Sequence, residues 1–367
     1  MKLNELLRII SNLASKRAPS GIEELRGAVF KEEMEKILDR EDIPVKRDGL
    51  GNVYVKFKGR EKKKSIAIVA HLDEIGGTIR KINKNGSLEF SKRGGYEGRW
   101  LVSRRVSILN KDGNWINGVI GGRSVHAVPV KLRTKEKIST NEMEIYLGAN
   151  SREEVKSKYK LHIGAPFVFS GYFGLLNPDF DDEIIAGYSL DNLVALTALL
   201  SLSEKISKNL INEFGYLNKS YDLYIVATTR EEIGTEGALY FSRNNPINEI
   251  VALDIGIVSD FKGAVSSDIS IEGGPVIVWQ EGGGKGIFDY TLCKKFVNVA
   301  EKKEIKYQEG VLEFYGSDAG TAQKWLGISS ILIGIPIKYS HNVPEVSNLN
   351  SIEQAAELVY QYLRDQK

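Results

Sequence analysis

Cysteine is nearly missing from this chain: of its 367 residues only Cys293 carries a thiol, so no disulfide can form within it. Cys293 falls in Asp289-Tyr-Thr-Leu-Cys-Lys-Lys-Phe-Val-Asn-Val-Ala300, an amphipathic helical pattern with no histidine beside it, and it reads as core filling rather than as a nucleophile. No run of about 18 apolar residues occurs, which excludes a membrane-spanning helix. The start, Met1-Lys-Leu-Asn-Glu-Leu-Leu-Arg-Ile-Ile-Ser11, breaks its apolar residues with charges and shows no cleavage site, so a helix is expected there and not a signal peptide. An excess of one charge is lacking too. Lys and Arg number 50 against 48 Asp and Glu, which gives no general reason to expect nucleic acid or a membrane as partner. The basic run Arg60-Glu-Lys-Lys-Lys64 precedes a strand and reads as a solvated turn. The glycine-rich Gly282-Gly-Gly-Lys-Gly286 lacks the Lys-Ser/Thr of a phosphate loop. A soluble, cytoplasmic protein is expected. Histidine is scarce: only His71, His126, His162 and His341.

What is present is an ordinary globular composition, 42% apolar and 27% charged, with enough length for one large domain or two modest ones. Helical spacing covers Leu3 to about Ser15 and Leu25 to Leu38, with a break at Ala18-Pro-Ser-Gly-Ile-Glu-Glu24 between them. Val45–Arg47 and Gly51–Phe57 read as strands around an Asp48-Gly-Leu-Gly51 turn, and Lys64–Ala70 as a buried strand. From about Gly77 to Asp182 the texture changes to short alternating segments at Leu88–Phe90, Arg105–Leu109, Trp115–Ile120, Glu142–Leu147 and Pro166–Phe169. Such spacing suggests a small antiparallel barrel or sandwich, interrupted by a short helix at Ser151–Tyr159. Alternating helices and strands then resume. An amphipathic helix is expected over Leu193–Ile206, strands over Leu223–Ala227, Glu249–Asp254 and Ser330–Gly334, and helices over Gly237–Arg243, Tyr290–Lys302 and Ile352–Arg364. The fold class is therefore α/β with an inserted β domain.

The chemistry gathers where strands stop. His71 ends one buried strand, Glu231 and Glu232 follow another, and Asp254 ends a third. His341 trails the Ser330 strand after Ile335-Pro-Ile-Lys-Tyr-Ser340, and Asp191 sits at a helix start. In open α/β sheets, sites form outside the carboxyl ends of the strands, so separate segments deliver His and carboxylate to one edge. Neighbouring side chains on extended chain point apart, so one glutamate of the pair can bind a metal while the other serves as general base. A solvated Glu-Glu pair is the bland alternative, and the other segments weigh against it. Two divalent ions about 3.5–4 Å apart would be served by His71 with Asp254, and by Glu232 with His341, with Asp191 bridging. Mixed nitrogen and oxygen donors favour Zn²⁺, Co²⁺ or Mn²⁺ over Ca²⁺. Asp73 is expected to accept the second imidazole N–H of His71 and fix its tautomer. Glu231 is left to take a proton from a bridging water made acidic by the cations and to pass it to a leaving amine.

The ordered set Ser20-Gly-Ile-Glu23, Asp48-Gly-Leu-Gly-Asn52, His71-Leu-Asp73-Glu-Ile-Gly76, Gly118-Val-Ile-Gly121 with His126, Leu190-Asp191-Asn192, Glu231-Glu232-Ile-Gly234, Asp254, Gly273-Gly-Pro275, Gly316-Ser-Asp-Ala319 and Tyr339-Ser-His341 resembles the M42 family of metallo-aminopeptidases over nearly the whole chain. The resemblance implies a mixed-sheet zinc-peptidase catalytic domain over 1–76 and 183–367. It also implies a small barrel-like or PDZ-like β domain for dimerisation over 77–182. It further implies two divalent ions per subunit, Zn²⁺ or Co²⁺, on His71, Asp191, Glu232, Asp254 and His341, with Glu231 as catalytic base beside Asp73. Short peptides would be the substrates, and dimers would be building blocks of a homo-oligomer, as in relatives that form hollow tetrahedral dodecamers. Some relatives carry an endoglucanase label, but glycosidases usually work with two carboxylates and no metal pair.

Two departures stand out. Leu193 follows Asp191-Asn192 where the family usually has Arg, and Lys338 precedes Tyr339 where Arg is common. Neither removes a ligand. Asp318 reads either as a residue lining the substrate site or as a helix cap, and His126 as structural. The rival functions are another amide hydrolase of the same clan, such as a deacylase, and a non-catalytic scaffold. Retention of every ligand and of Glu231 weighs against the scaffold.

Overall fold

A computed structural model describes residues 1–61, 64–122, 126, 139–180, 183–212, 215–261, 268–282, 286–342 and 344–366. The Arg60–Lys64 run and the Gly282–Gly286 run thus lie partly outside the described residues. At the centre of the main sheet four strands run parallel in the order Tyr221–Thr228, Lys64–His71, Glu249–Ile257 and Ser329–Lys338. Antiparallel strands flank them: Val53–Phe57 beside the first, and Glu345–Asn348 then Ile184–Gly187 beyond the last. Val276–Glu281 also joins the Ser329 strand and carries Gly286–Ile287 and Gln308–Leu312. The parallel strands are Val/Ile/Leu/Ala runs buried along nearly their full length, as expected of strands covered on both faces.

The helix over Leu190–Asn209 differs from its expected amphipathic form. Every residue from Leu190 to Ser203 is buried, because the helix is wedged between the sheet and the helices Leu3–Ala14, Glu24–Leu38 and Leu349–Asp365. Its buried hydroxyls all find acceptors: Thr197 Oγ1 donates to the Leu193 carbonyl and Ser203 Oγ to that of Leu199, both at 2.8 Å, while Ser201 Oγ donates to the Glu353 carboxylate on the neighbouring helix. A buried hydroxyl without such a partner would be costly. Asp191 and Asn192 themselves have non-helical backbone, joined by a cis peptide bond, so regular helix begins at Leu193.

The inserted segment closes into a six-stranded antiparallel barrel of Gly76–Ile82, Leu88–Arg93, Ile145–Tyr146, Trp115–Ile120, Arg105–Leu109 and Pro166–Ser170. It has its own core, in which Phe90 and Phe167 meet edge to face at 5.3 Å. Its first strand opens on Gly76-Gly77, which reads locally as a turn. A Cβ on Gly77 would come within 2.4 Å of the Phe167 ring, so only glycine lets the two strands close there. The expected strand over Glu142–Leu147 shrinks to Ile145–Tyr146, since Ser139 caps a 3₁₀ turn at Thr140–Glu142. After the barrel, Gly174–Leu175 already pairs with the main sheet. Among the described residues no helix is long and apolar enough to cross a membrane.

Candidate metal centre

Strand register brings the first donors level. His71 is paired with Thr228 on one side. On the other side Val69 is paired with Ala252, so Asp254, two residues on, reaches the height of His71. Both are buried, and His71 ends its strand as expected, but the Glu249 strand runs on to Ile257, so Asp254 lies within it rather than at its end. The Ser329 strand runs on through Ile335-Pro-Ile-Lys338, where a loop was expected. Ile335 and Ile337 are fully buried, and Pro336 sits before the pairing with Glu345–Asn348 begins at Ile337, where its missing N–H deprives no partner. His341 is thus only three residues beyond a strand end.

The Glu231-Glu232 pair does not lie on extended chain. The strand stops at Thr228, and Arg230 turns the backbone left-handed at φ 55°, so the two side chains diverge in a turn. Asp73 builds that turn. Its Oδ1 accepts the Glu231 N–H at 2.9 Å, its Oδ2 the Glu232 N–H at 3.2 Å and the Ser20 hydroxyl at 2.6 Å. Glu23 Oε1 accepts the Arg230 N–H at 3.1 Å, so Ser20-Gly-Ile-Glu23 props the turn from beneath. Behind it, Asn52 Oδ1 accepts the Thr229 N–H at 2.9 Å, and Asn52 Nδ2 donates to the Gly237 carbonyl at 3.0 Å. The expected tautomer lock on His71 comes mainly from another atom of Asp73: Nδ1–H donates to the Asp73 backbone carbonyl at 3.1 Å, with the carboxylate at 3.5 Å.

Asp191 lies between the two histidines. Its Oδ1 is 3.1 Å from His71 Nε2, and its Oδ2 is 3.3 Å from His341 Nε2. Asp254 Oδ1 stands 3.8 Å and Glu231 Oε2 4.0 Å from His71 Nε2, while Glu232 Oε2 is 3.5 Å from His341 Nε2. His341 Nδ1 is bonded to the carbonyl of Gly95, a loop residue of the inserted barrel. Both histidines therefore spend Nδ1 on a backbone carbonyl and aim Nε2 at carboxylates, the arrangement of metal-ligating imidazoles.

The donor set fits cations. His71, Asp191 and Glu232 each offer an atom within 4.8 Å of one another, and Glu232 Oε1 is buried with no hydrogen-bond partner. Burial, then neighbouring carboxylates, drives the Asp254 and Glu231 carboxyls well above their usual range, and burial brings Glu232 to about 7. Burial pulls His341 down, but Glu232 and Asp191 outweigh it and push the imidazole up to about 10. Asp191, buried yet held by both imidazoles, is lowered. Crowded buried carboxylates with too little positive charge are what a bound cation relieves.

A cavity of about 540 Å³ opens beside the cluster, lined by Glu231, Glu232, Glu281, Tyr315, Trp325 and His341 among others. Asp318 does not cap the helix Asp318–Leu326, as one reading expected. Ser317 does, its Oγ accepting the Gly320 N–H at 3.4 Å, while Asp318 Oδ2 accepts the Thr228 hydroxyl at 2.6 Å. Burial raises Asp318 to about 6. His126 is exposed and is not in the grouped donors. Cys293 is buried with its thiol pushed up to about 12, which suits core filling. Leu193 packs in the core, and Lys338 pairs with Asp260 at 2.8 Å. Residue-type reasoning missed Tyr315, whose side chain faces the Asp254 carboxyl and holds its rise in check, as well as Gly95 and Glu345. No local pattern marks them, since their roles arise from neighbours far along the chain.

Residues 51–358 match the M42 glutamyl aminopeptidase family. The chain belongs to that family, whose members hydrolyse peptide bonds. It is 27% identical over 328 residues to the lysyl aminopeptidase of Pyrococcus furiosus, covering 88% of this chain and 87% of the relative. Among solved structures it is similar to an aminopeptidase from the archaeon Desulfurococcus kamchatkensis, with TM-score 0.87 and 28% identity over 100% of this chain and 96% of that one. It is also similar to the TET1 peptidase of Pyrococcus horikoshii, which can assemble into a tetrahedron or a large octahedral shell, with TM-score 0.78 and 26% identity over 98% of both chains. As an M42 member the chain is an aminopeptidase of metallopeptidase type, with an α/β sheet and an inserted six-stranded barrel.

Proposed function

We propose that the chain is a dinuclear aminopeptidase that removes N-terminal residues from short peptides. The observation that carries this reading is Asp191, one oxygen facing His71 and the other His341. His71, Asp254 and one Asp191 oxygen would hold one divalent ion, and His341, Glu232 and the other oxygen a second, with Zn²⁺ or Co²⁺ suited to the mixed donors. When bound, such ions polarise the scissile carbonyl and acidify a water. Glu231, in the cavity wall with its carboxyl raised by burial, takes the water's proton and delivers it to the departing amine. Asp73 keeps the two glutamates at their different tasks by fixing their backbone.

The separate cores support a catalytic unit of 1–76 and 183–367 with a barrel unit inserted at 77–182, apart from Gly76, which opens the first barrel strand, and Gly174–Leu175, which pair with the main sheet. That barrel serves as a PDZ-like dimerisation module, and dimers build a larger homo-oligomer, as the assembly of the P. horikoshii relative suggests. A cytoplasmic location belongs to the same proposal. The test is metal content by elemental analysis, paired with hydrolysis of aminoacyl p-nitroanilides before chelation, after it, and after return of Zn²⁺ or Co²⁺. Two ions per chain with restored hydrolysis is the expected result. Metal without aminoacyl hydrolysis would replace the peptidase with another amide hydrolase, and no metal under any reconstitution would overturn the reading.

A further inference from the structure

We propose that Glu345 is a positioning residue that holds two ligands of the His341 metal site in register, an inference that rests on the metallopeptidase reading above. Glu345 opens the strand Glu345–Asn348, which lies between the Ser329 strand and Ile184–Gly187. Those two neighbours lead, a few residues on, to His341 and to Asp191. Glu345 is therefore flanked at that level by both ligand-bearing turns. Its Oε1 accepts the His341 N–H at 3.0 Å and its Oε2 the Asp191 N–H at 3.1 Å. The residue is 2% exposed.

Both turns need holding. Ser189, Tyr339 and His341 have left-handed backbone at φ 58°, 62° and 56°, a conformation that is strained for a non-glycine residue. Burial and the nearby Asp191 charge push the Glu345 carboxyl up, but two N–H donors, one at each oxygen, require both oxygens to accept, as only the ionised carboxylate does; one rigid group thus satisfies an N–H from each turn and sets their separation. A glutamine has one acceptor and one donor, and it must turn its NH₂ towards one of the two N–H groups. Glu345 grips two donors of the His341 site, Asp191 and His341, but only one of the His71 site. Its loss therefore falls mainly on the ion held by His341 and Glu232.

The experiment is titration of metal-free protein with Zn²⁺ against a chromophoric chelator, resolving the two equivalents in wild type, Glu345→Gln, Glu345→Asp and a His341→Ala reference, with the metal-free thermal midpoint of each. In Glu345→Gln, one equivalent should keep wild-type affinity. The other, the one that His341→Ala abolishes, should weaken by about 10- to 100-fold. Glu345→Asp keeps both acceptors but withdraws them, so it should weaken the same equivalent less, and it carries the test if the glutamine variant does not fold. Unchanged affinity for both ions, or equal loss of both, overturns the role assigned to Glu345. A wild type that binds fewer than two ions instead overturns the dinuclear reading on which the role rests.

Discussion

The carboxylate of Asp73 accepts the backbone N–H of Glu231 at 2.9 Å, so a residue two positions beyond His71 sets where the proposed general base stands. Asp73 is fully buried, and its second oxygen holds the next amide of the same turn. Asp73→Asn keeps the size but offers one acceptor, leaving one buried N–H facing an NH₂ at a cost of about 1–3 kcal/mol. The expected outcome is a fall in kcat of about 10- to 100-fold with KM much less affected. Steady-state kinetics on an aminoacyl p-nitroanilide would show it, and an unchanged kcat would remove Asp73 from the support of Glu231.

Glu231→Gln separates chemistry from metal binding. Glu231 Oε2 is 4.0 Å from His71 Nε2, farther than Asp191 or Asp254. The variant should therefore retain its ions by elemental analysis while kcat falls about 10²- to 10⁴-fold, the usual share of a positioned acid–base group. Wild-type turnover would exclude it as the base.

The buried pair Arg26–Glu74 has side-chain exposures of 0% and 3%, and Arg26 also donates to the Leu72 carbonyl at 2.9 Å, next to His71. Arg26→Met strands the Glu74 charge and should lower stability by about 3–5 kcal/mol. Lys31→Met removes the exposed Lys31–Glu35 pair and should change it by about 0.5 kcal/mol or less. Denaturant midpoints of the two variants test the contrast.

Stability should fall with rising pH through Glu281. Burial pushes its carboxyl up from 4.5 to about 7, against hydrogen bonds from Ser317 that favour the charged form. Between those values the unfolded chain has released the proton and the folded chain still holds it. The folded state then binds more protons, and its stability drops as pH rises through 4.5 to 7. Glu281→Gln cannot titrate. Relative to wild type it should gain stability between the two ends of that window, by on the order of 3 kcal/mol, read from denaturation curves at each pH. A parallel pH dependence in both proteins would refute the assignment.

The amino-acid pattern by itself determined the α/β class, the intervening β segment and which residues are candidate donors, because burial of continuous Val/Ile runs and the placement of His and carboxylate at or near their ends are local properties of the chain. Arg105–Leu109, Trp115–Ile120 and Tyr290–Lys302 are observed with the bounds their periodicity predicts. Gly76–Ile82, Ile184–Gly187 and Glu345–Asn348 were not legible. Their residues are glycine-rich or few, and only pairing with distant strands makes them extended. The same limit applies to the centre. His71, Asp191, Glu232, Asp254 and His341 could be chosen by type and position. That Asp73 would grip the amides of Glu231 and Glu232, that Glu345 would grip those of Asp191 and His341, and that Gly95 of the barrel would reach His341 follows from backbone atoms. Every residue carries the same N–H and C=O, so only the tertiary fold decides which of them meet.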